Sequence, residues 1–133
     1  MPLMGLGIWK IPNDVCAETV YQAIKMGYRC IDSALVYGNE KEAGEGVKRA
    51  IDEGIVTRAD LFITSKLWNS DHRPEHVEAA CRRSCADFQT DYLDLYLIHF
   101  PVSIPHCDYS KKYPPNWYNM DEKWEPDHGV TYE

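Results

Sequence analysis

The segment YLDLYLIH, residues 92–99, decides the fold class of this 133-residue chain. Its aromatic and aliphatic residues become almost continuous toward its end, as in a parallel strand that is covered on both faces. Shorter apolar runs of strand length lie at residues 3–9, 28–32 and 61–66, and stretches with helical periodicity separate all four. Because no hairpin signal joins successive runs, the alternation predicts right-handed crossovers and a parallel sheet. We therefore predict an α/β fold.

Helical periodicity and capping residues predict three helices, over residues 14–27, 39–54 and 74–88. Gly27 supplies a left-handed stop for the first helix, and Pro74 suits the first turn of the third. The second helix begins with a run of charged side chains at helical neighbour spacing, which we interpret as a solvated helix face without a function. These residues are Glu40, Lys41, Glu42, Glu45 and Lys48.

Composition and charge exclude several classes of protein. The chain carries 14 Lys and Arg against 21 Asp and Glu, a net charge of −7, which argues against a nucleic-acid partner because such binding depends on clustered cations. No window approaches the ~20 apolar residues of a membrane span, and residues 1–8 lack the features of a signal peptide. The five cysteines form an odd, scattered set that we interpret as reduced thiols. We expect a cytoplasmic protein without a membrane partner.

The chain divides near residue 100. Residues 1–100 contain all of the predicted strands and helices, whereas residues 101–133 are rich in proline and aromatic residues and lack any regular period. We predict a long irregular loop or tail there, because a stretch of this length beside a packed domain is usually a lid, a binding loop or disordered chain.

Four polar residues follow the predicted strands at the end where parallel α/β folds bind ligands. Asp32, Lys66 and His99 end the second, third and fourth runs, and Tyr37 follows five residues after Asp32. Tyrosine is a poor proton donor at neutral pH, but a neighbouring ammonium stabilises its phenolate. Lys66 would therefore activate Tyr37, and Asp32 would keep Lys66 charged. His99 would orient a substrate oxygen, which completes a general-acid site for a carbonyl group.

Each of these residues, taken alone, is more simply explained as a helix cap or a rim salt bridge. Four of them in register at one edge favour the catalytic interpretation. A zinc site is not predicted, because Pro74 interrupts the His and Cys spacing and the cysteines fall on the apolar helix face. The residues of that rejected site are His72, His76, Cys81 and Cys85.

Four segments of the chain together resemble the aldo-keto reductases, closest to the xylose and aldose reductases. They are GIWK (7–10), IDSALVYGNE (31–40), TSKLWN (64–69) and DYLDLYLIHFP (91–101). The resemblance implies NADPH-dependent reduction of a small aldehyde or an aldose, with Tyr37 as the proton donor. It also implies that Lys66 and Asp32 tune this tyrosine and that His99 orients the substrate.

The same resemblance implies two groups of binding residues. The residues implied to border the nicotinamide end of NADPH are Gly7, Ile8, Trp9, Lys10 and Asp32. The residues implied to line the substrate pocket are Trp9, Trp68 and Phe100. One position departs from the pattern of yeast xylose reductases, since Val36 stands where those enzymes commonly carry Asp. A general aldehyde or aldose reductase is therefore the broader expectation.

The family fold is an eight-stranded (β/α) TIM barrel of typically about 250 residues or more. We expect the present chain to be the N-terminal half of such a barrel, with four strands, three helices and an incomplete cofactor site. The alternative expectation is a non-catalytic half-barrel that binds a partner or associates with itself, because unpaired strand edges invite pairing.

Overall fold

The structure, a computed structural model, describes residues 1–117 and 123–130, and in them strands and helices alternate along the chain. The strands are β1 (Leu6–Gly7), β2 (Cys30–Asp32), β3 (Phe62–Leu67) and β4 (Leu95–Ile98). The helices are α1 (Asn13–Lys25), α2 (Glu40–Asp52) and α3 (Pro74–Asp87). Single 3₁₀ turns cover Leu35–Tyr37, Arg58–Asp60 and Asn69–Asp71.

The four strands form one parallel sheet in the order β1-β2-β3-β4. In its register Asp32 lies between Gly7 and Thr64, and Lys66 lies opposite Leu97. All four strands therefore end at one edge of the sheet, where the predicted site residues follow them. A parallel sheet with a helix after each of its first three strands is a partial (β/α) barrel, which confirms the predicted fold class.

Three strands are shorter than the sequence predicts, among them β2, which begins at Cys30 rather than at residue 28. β1 contains only two paired residues, and Leu3 beside it is fully exposed. β4 begins at Leu95 rather than at Tyr92, because the Asp94 carboxylate accepts the Ile63 N–H at 2.9 Å and so occupies a position in the ladder. Tyr92 is half-exposed, and its ring lies 3.9 Å from the Arg58 guanidinium rather than in the core.

The core lies between the sheet and its helices, and α1 and α2 approach each other closely. Its buried apolar residues include Ile8, Val20, Ile24, Ile31, Val47, Ile63 and Phe88. A β-carbon at Gly46 would lie 2.4 Å from the carbonyl oxygen of Ala17, so only glycine fits at the contact between these two helices. Gly27, with a φ of +103°, follows α1 as predicted.

The segment after β4 is irregular wherever the structure describes it, and it folds back onto the rest of the chain. The Ile104 N–H donates to the carbonyl of Asn69 at 3.0 Å, and Arg73 forms an ion pair with Asp127. Residues 118–122 and 131–133 of the predicted loop lie outside the described residues. A division of the chain near residue 100 stays a prediction.

Within the described ranges, no helix is both long and apolar enough to cross a membrane. Over the same residues, no cluster of three or more His, Cys, Asp or Glu side chains could hold a metal ion. All five cysteines are free thiols.

Candidate active site

The structure brings the four polar residues predicted for the site to the same edge of the sheet. Asp32 is the last residue of β2, Lys66 lies near the end of β3, and His99 directly follows β4. Tyr37 lies at the end of a 3₁₀ turn that follows β2, and Gly38 closes this turn with a φ of +72°. Strand register therefore places three of these side chains, and one turn places the fourth.

Lys66 is the centre of the cluster. Its ammonium donates to the Asp32 carboxylate at 2.8 Å, to the Ser33 carbonyl at 2.7 Å and to the Tyr37 hydroxyl at 3.2 Å. The Lys66 side chain is 13% exposed, whereas that of Asp32 is 49% exposed. A cation with this little access to water needs such partners. It therefore places a positive charge directly beside the phenol oxygen.

His99, which directly follows β4, faces Tyr37. The two rings meet edge to face with centroids 5.8 Å apart, and His99 stacks on Phe100 at 4.6 Å. Burial, and to a smaller extent the Lys66 ammonium, lower the pKa of His99 to about 4 against the opposing effect of Asp32. The imidazole is therefore neutral at physiological pH. Its Nδ1 atom is buried and has no hydrogen-bond partner among the described residues.

An aromatic cavity of about 350 Å³ opens above the Tyr37 and His99 rings. Its walls are Trp9, Val36, Tyr37, Trp68, His99, Phe100 and Trp117. All three residues predicted to line a substrate pocket are among them. Trp68 is almost fully buried, and its indole N–H donates to the Asn116 carbonyl at 3.2 Å.

Four of the five predicted cofactor residues lie at the end of β1 or directly after it, and the fifth, Asp32, ends β2 at the same edge. Trp9 is 64% exposed, and the Lys10 ammonium lies 4.4 Å from the centre of its ring. Gly7 borders open space, since an added β-carbon would meet no atom within 4 Å. Ile8 differs from these residues, because its side chain is fully buried in the core and its N–H donates to the Asp32 carbonyl.

Sequence reasoning missed Trp117, which forms a wall of the cavity. It lies in the irregular segment after β4, and its ring contacts those of Trp68 and Phe100 at centroid distances of 5.1 and 4.9 Å. Asn39, also missed, is buried and donates to the carbonyls of Ile8 and Ile11 at 2.9 and 3.0 Å. These bonds hold the turn that carries Trp9 and Lys10.

The interpretation of Glu40 as part of a solvated face is wrong. Glu40 is fully buried, whereas Lys41, Glu45 and Lys48 on the same helix are exposed. The signal was present in the sequence, since Glu40 precedes the buried residues Ala43, Gly44 and Val47 by three, four and seven positions. That spacing belongs to one helix face.

Comparison with known proteins identifies the family. The sequence profile described as the Aldo/keto reductase family matches residues 3–124. A probable NAD(P)H-dependent D-xylose reductase from Aspergillus clavatus is 56% identical over 94% of this chain and 38% of its own length. An NADPH-dependent aldose reductase from Saccharomyces cerevisiae is 54% identical over 92% of this chain and 38% of its own length. The chain thus spans about two-fifths of the length of these relatives.

Solved structures agree with the sequence comparison. The aldose reductase of Schistosoma japonicum superposes with a TM-score of 0.83 at 40% identity, over 96% of this chain and 41% of that protein. An aldo-keto reductase of Bombyx mori, solved in complex with NADP, superposes with a TM-score of 0.78 at 37% identity, over 96% of this chain and 38% of that protein. The chain belongs to the aldo/keto reductase family. The resemblance seen in the sequence is confirmed.

Proposed function

We propose that this chain carries the proton-transfer site of an NADPH-dependent reductase of aldehydes or aldoses. The observation that supports the proposal most directly is the position of the Lys66 ammonium, which contacts both the Asp32 carboxylate and the Tyr37 hydroxyl. Tyr37 is the proposed proton donor. The cavity beside it has room for a small organic molecule, and two hydrogen-bonding side chains, Tyr37 and His99, face that space.

The residues at the β1 rim fit a nicotinamide cofactor. They offer an exposed aromatic face at Trp9, an unobstructed glycine backbone at Gly7 and a cation at Lys10. Such groups suit a flat heteroaromatic ring and an anionic phosphate, because aromatic faces stack on rings and ammonium groups attract phosphates. Together with Asp32, these are the residues that we propose border the nicotinamide. Ile8 packs in the core behind them, and its N–H donates to the Asp32 carbonyl. When bound, the cofactor supplies the hydride.

The proposed chemistry of the protein is to place one proton beside the substrate carbonyl oxygen. The Tyr37 hydroxyl gives its proton to that oxygen, and negative charge then develops on the phenol oxygen. The Lys66 ammonium, 3.2 Å away, stabilises this charge, and Asp32 keeps the ammonium in position. Because His99 is neutral at physiological pH, it can donate one hydrogen bond that orients the substrate oxygen without competing as an acid.

The proposal is tested with the full-length gene product, or with this chain joined to the remaining part of one of its D-xylose reductase relatives. We expect this protein to oxidise NADPH in the presence of xylose or a small aromatic aldehyde, with one alcohol formed per NADPH consumed. The absence of turnover with both substrates would contradict the proposal. A comparison of NADPH with NADH in the same assay determines which cofactor it uses.

A second candidate function is supported by the exposed side chains of β4. Leu97 and Ile98 are 40% and 56% exposed, and among the described residues β4 pairs only with β3. A half-barrel with such an edge could act as a self-associating module rather than as an enzyme. Sedimentation equilibrium separates the two candidates, since a folded monomer at micromolar concentration would contradict the module. Either candidate is proposed to act in the cytoplasm, where the five free thiols stay reduced.

A further inference from the structure

We propose that Glu40 is a positioning residue for the reaction, and that its buried carboxylate sets the distance between Tyr37 and Lys66. The inference rests on the proposed function, because it concerns the same pair of residues. Glu40 is the first residue of α2 and contacts neither the cavity nor the exposed rim. It would therefore act only through the residues that it holds.

Three serine hydroxyls donate to the Glu40 carboxylate, and each comes from a different element. Ser33, which directly follows β2, donates to Oε1 at 3.0 Å. Ser65 of β3 donates to the same oxygen at 2.5 Å, and Ser84 of α3 donates to Oε2 at 2.7 Å. All four side chains are fully buried. A single side chain therefore joins two adjacent strands and two helices behind the site.

Two of the three serines are connected directly to Lys66. The Ser33 carbonyl accepts a hydrogen bond from the Lys66 ammonium at 2.7 Å, and the Ser33 hydroxyl donates to the Glu40 carboxylate. Ser65 immediately precedes Lys66 in β3. A shift of either serine would therefore move an acceptor or the backbone of Lys66 itself.

The same carboxylate also closes the loop that carries Tyr37. This loop runs from residue 33 to residue 40, and the hydrogen bond from Ser33 to Glu40 joins its two ends. Within the loop, the Tyr37 and Gly38 N–H groups donate to the carbonyls of Ala34 and Leu35 at 2.9 and 3.2 Å. Both sides of the Tyr37 to Lys66 contact are thus tied to Glu40.

The chemistry of the group explains why a carboxylate is used. Burial raises the pKa of Glu40, and the three hydroxyl bonds oppose this rise because they stabilise the charged form. The ionised group accepts at both oxygens and needs no donor of its own, so it can receive all three hydroxyls. A glutamine of the same shape would turn one of these acceptors into a donor. Since buried polar groups that lose their partners cost free energy, the loop would loosen.

The first test measures amide hydrogen exchange in Glu40→Gln, with Glu45→Gln on the exposed face of the same helix as its control. We expect exchange at the Tyr37 and Gly38 amides to become about tenfold faster or more in Glu40→Gln, as the loss of a hydrogen bond to a charged group would give. Glu45→Gln should match the parent. Unchanged exchange at the two loop amides in Glu40→Gln would overturn the proposal.

The second test is a double-mutant cycle on kcat in the active full-length protein. Glu40→Gln should lower kcat about tenfold or more and leave cofactor affinity unchanged, because small displacements of reacting groups are costly. In a Lys66→Met background the same substitution should have no further effect on kcat, whereas a merely structural role would give an additional loss. An additive cycle overturns the proposal. A parent protein without reductase activity would instead contradict the proposed function, while the exchange result would still decide whether Glu40 holds the loop.

Discussion

At the scale of single residues, the candidate site is built around a cation that is largely shielded from water. Lys66 is paired with Asp32 and also contacts a backbone carbonyl and the Tyr37 hydroxyl. Removing one partner of such a pair usually costs more than the pair contributes, because the remaining charge stays buried. The cluster is therefore expected to act as a unit, and single substitutions within it should not be additive.

We predict that Tyr37→Phe in the full-length protein lowers kcat for aldehyde reduction by about 100-fold or more, the range ascribed to general acid catalysis. The reason is that phenylalanine keeps the ring that packs against Trp9 and His99 and removes only the hydroxyl. Cofactor affinity should change little, as measured by quenching of tryptophan fluorescence. Tyr28→Phe, remote from the site, is the matched control. Rates within twofold of the parent would remove Tyr37 from the role of proton donor.

A second prediction concerns the protonation of His99. Because its pKa is lowered to about 4 in the folded chain, its imidazole should stay neutral from pH 8 down to about pH 5 in an NMR titration. In the unfolded chain it titrates near ~6.5, so below that pH the unfolded state binds the proton first. The contribution of His99 to the free energy of unfolding is therefore complete above pH ~6.5. It falls as the pH is lowered toward about 4 and then levels off.

Comparing the free energy of unfolding of His99→Asn with that of the parent measures this contribution of His99. Its free energy of unfolding should depend less steeply on pH than that of the parent between about pH 4 and 6.5. Parallel curves for the two proteins, or titration of His99 near its ordinary pKa, would show that the imidazole is not held neutral by its surroundings.

At the scale of the elements, the contact between α1 and α2 holds the helix that begins directly after the Tyr37 loop. Gly46 allows α2 to approach the carbonyl of Ala17, and the Val20 side chain lies beside the same position. Gly44 plays the same part on the other side of α2, where an added β-carbon would meet the end of α3. The position of α2, and with it that of Glu40, is thus set by two residues without side chains.

We predict that Gly46→Ala lowers the free energy of unfolding by about 1–3 kcal/mol, the usual cost of overpacking a core. Helix propensity alone predicts the opposite sign, since alanine in a helix is favoured over glycine by about 1 kcal/mol. Urea denaturation decides between the overpacking effect and the helix-propensity effect, with Glu45→Ala on the exposed face of α2 as the control. A more stable Gly46→Ala variant would mean that the two helices do not pack as closely as described.

At the scale of the whole molecule, the described residues of the chain supply the proposed proton donor and one rim of the proposed cofactor site. Trp9 is largely exposed there, and Asp32 is half-exposed. Holding two reactants in the correct geometry contributes ~7–11 kcal/mol to catalysis, and this contribution needs a cofactor that is fixed along its length. Exposure of the cluster to water also weakens the effect of Lys66 on Tyr37.

We therefore predict that a polypeptide of residues 1–133, purified alone, shows no measurable NADPH-dependent reduction of a small aldehyde. The assay follows NADPH absorbance, and circular dichroism should first confirm that the polypeptide is folded. The same chain joined to the remaining part of a D-xylose reductase relative is the positive control. Steady turnover by residues 1–133 that disappears in Tyr37→Phe would show that a partial barrel suffices.

Much of this molecule was predictable from local patterns. Apolar runs and helical periodicity predict the alternation of strands and helices, because burial requires a period of two or 3.6 residues whatever the distant contacts are. Parallel pairing then brings Asp32, Lys66 and His99 to one edge, since successive parallel strands end on the same side of a sheet. The ends of the strands do not follow from local patterns alone, and Asp94 shows the reason. Its side chain takes the place of a backbone acceptor in the hydrogen bonds between β3 and β4.

Other features were decided only by the tertiary structure. The burial of Glu40 depends on Ser33, Ser65 and Ser84, which lie 7, 25 and 44 residues away in sequence and meet only when the sheet and helices pack. Trp117 forms a cavity wall because an irregular segment folds back over Trp68, and no local period specifies that path. Sequence by itself thus determined the class of fold and the proposed proton-transfer residues, because both follow from short-range periodicity and strand order. The support beneath those residues comes from contacts between distant segments, which only the packed chain can establish.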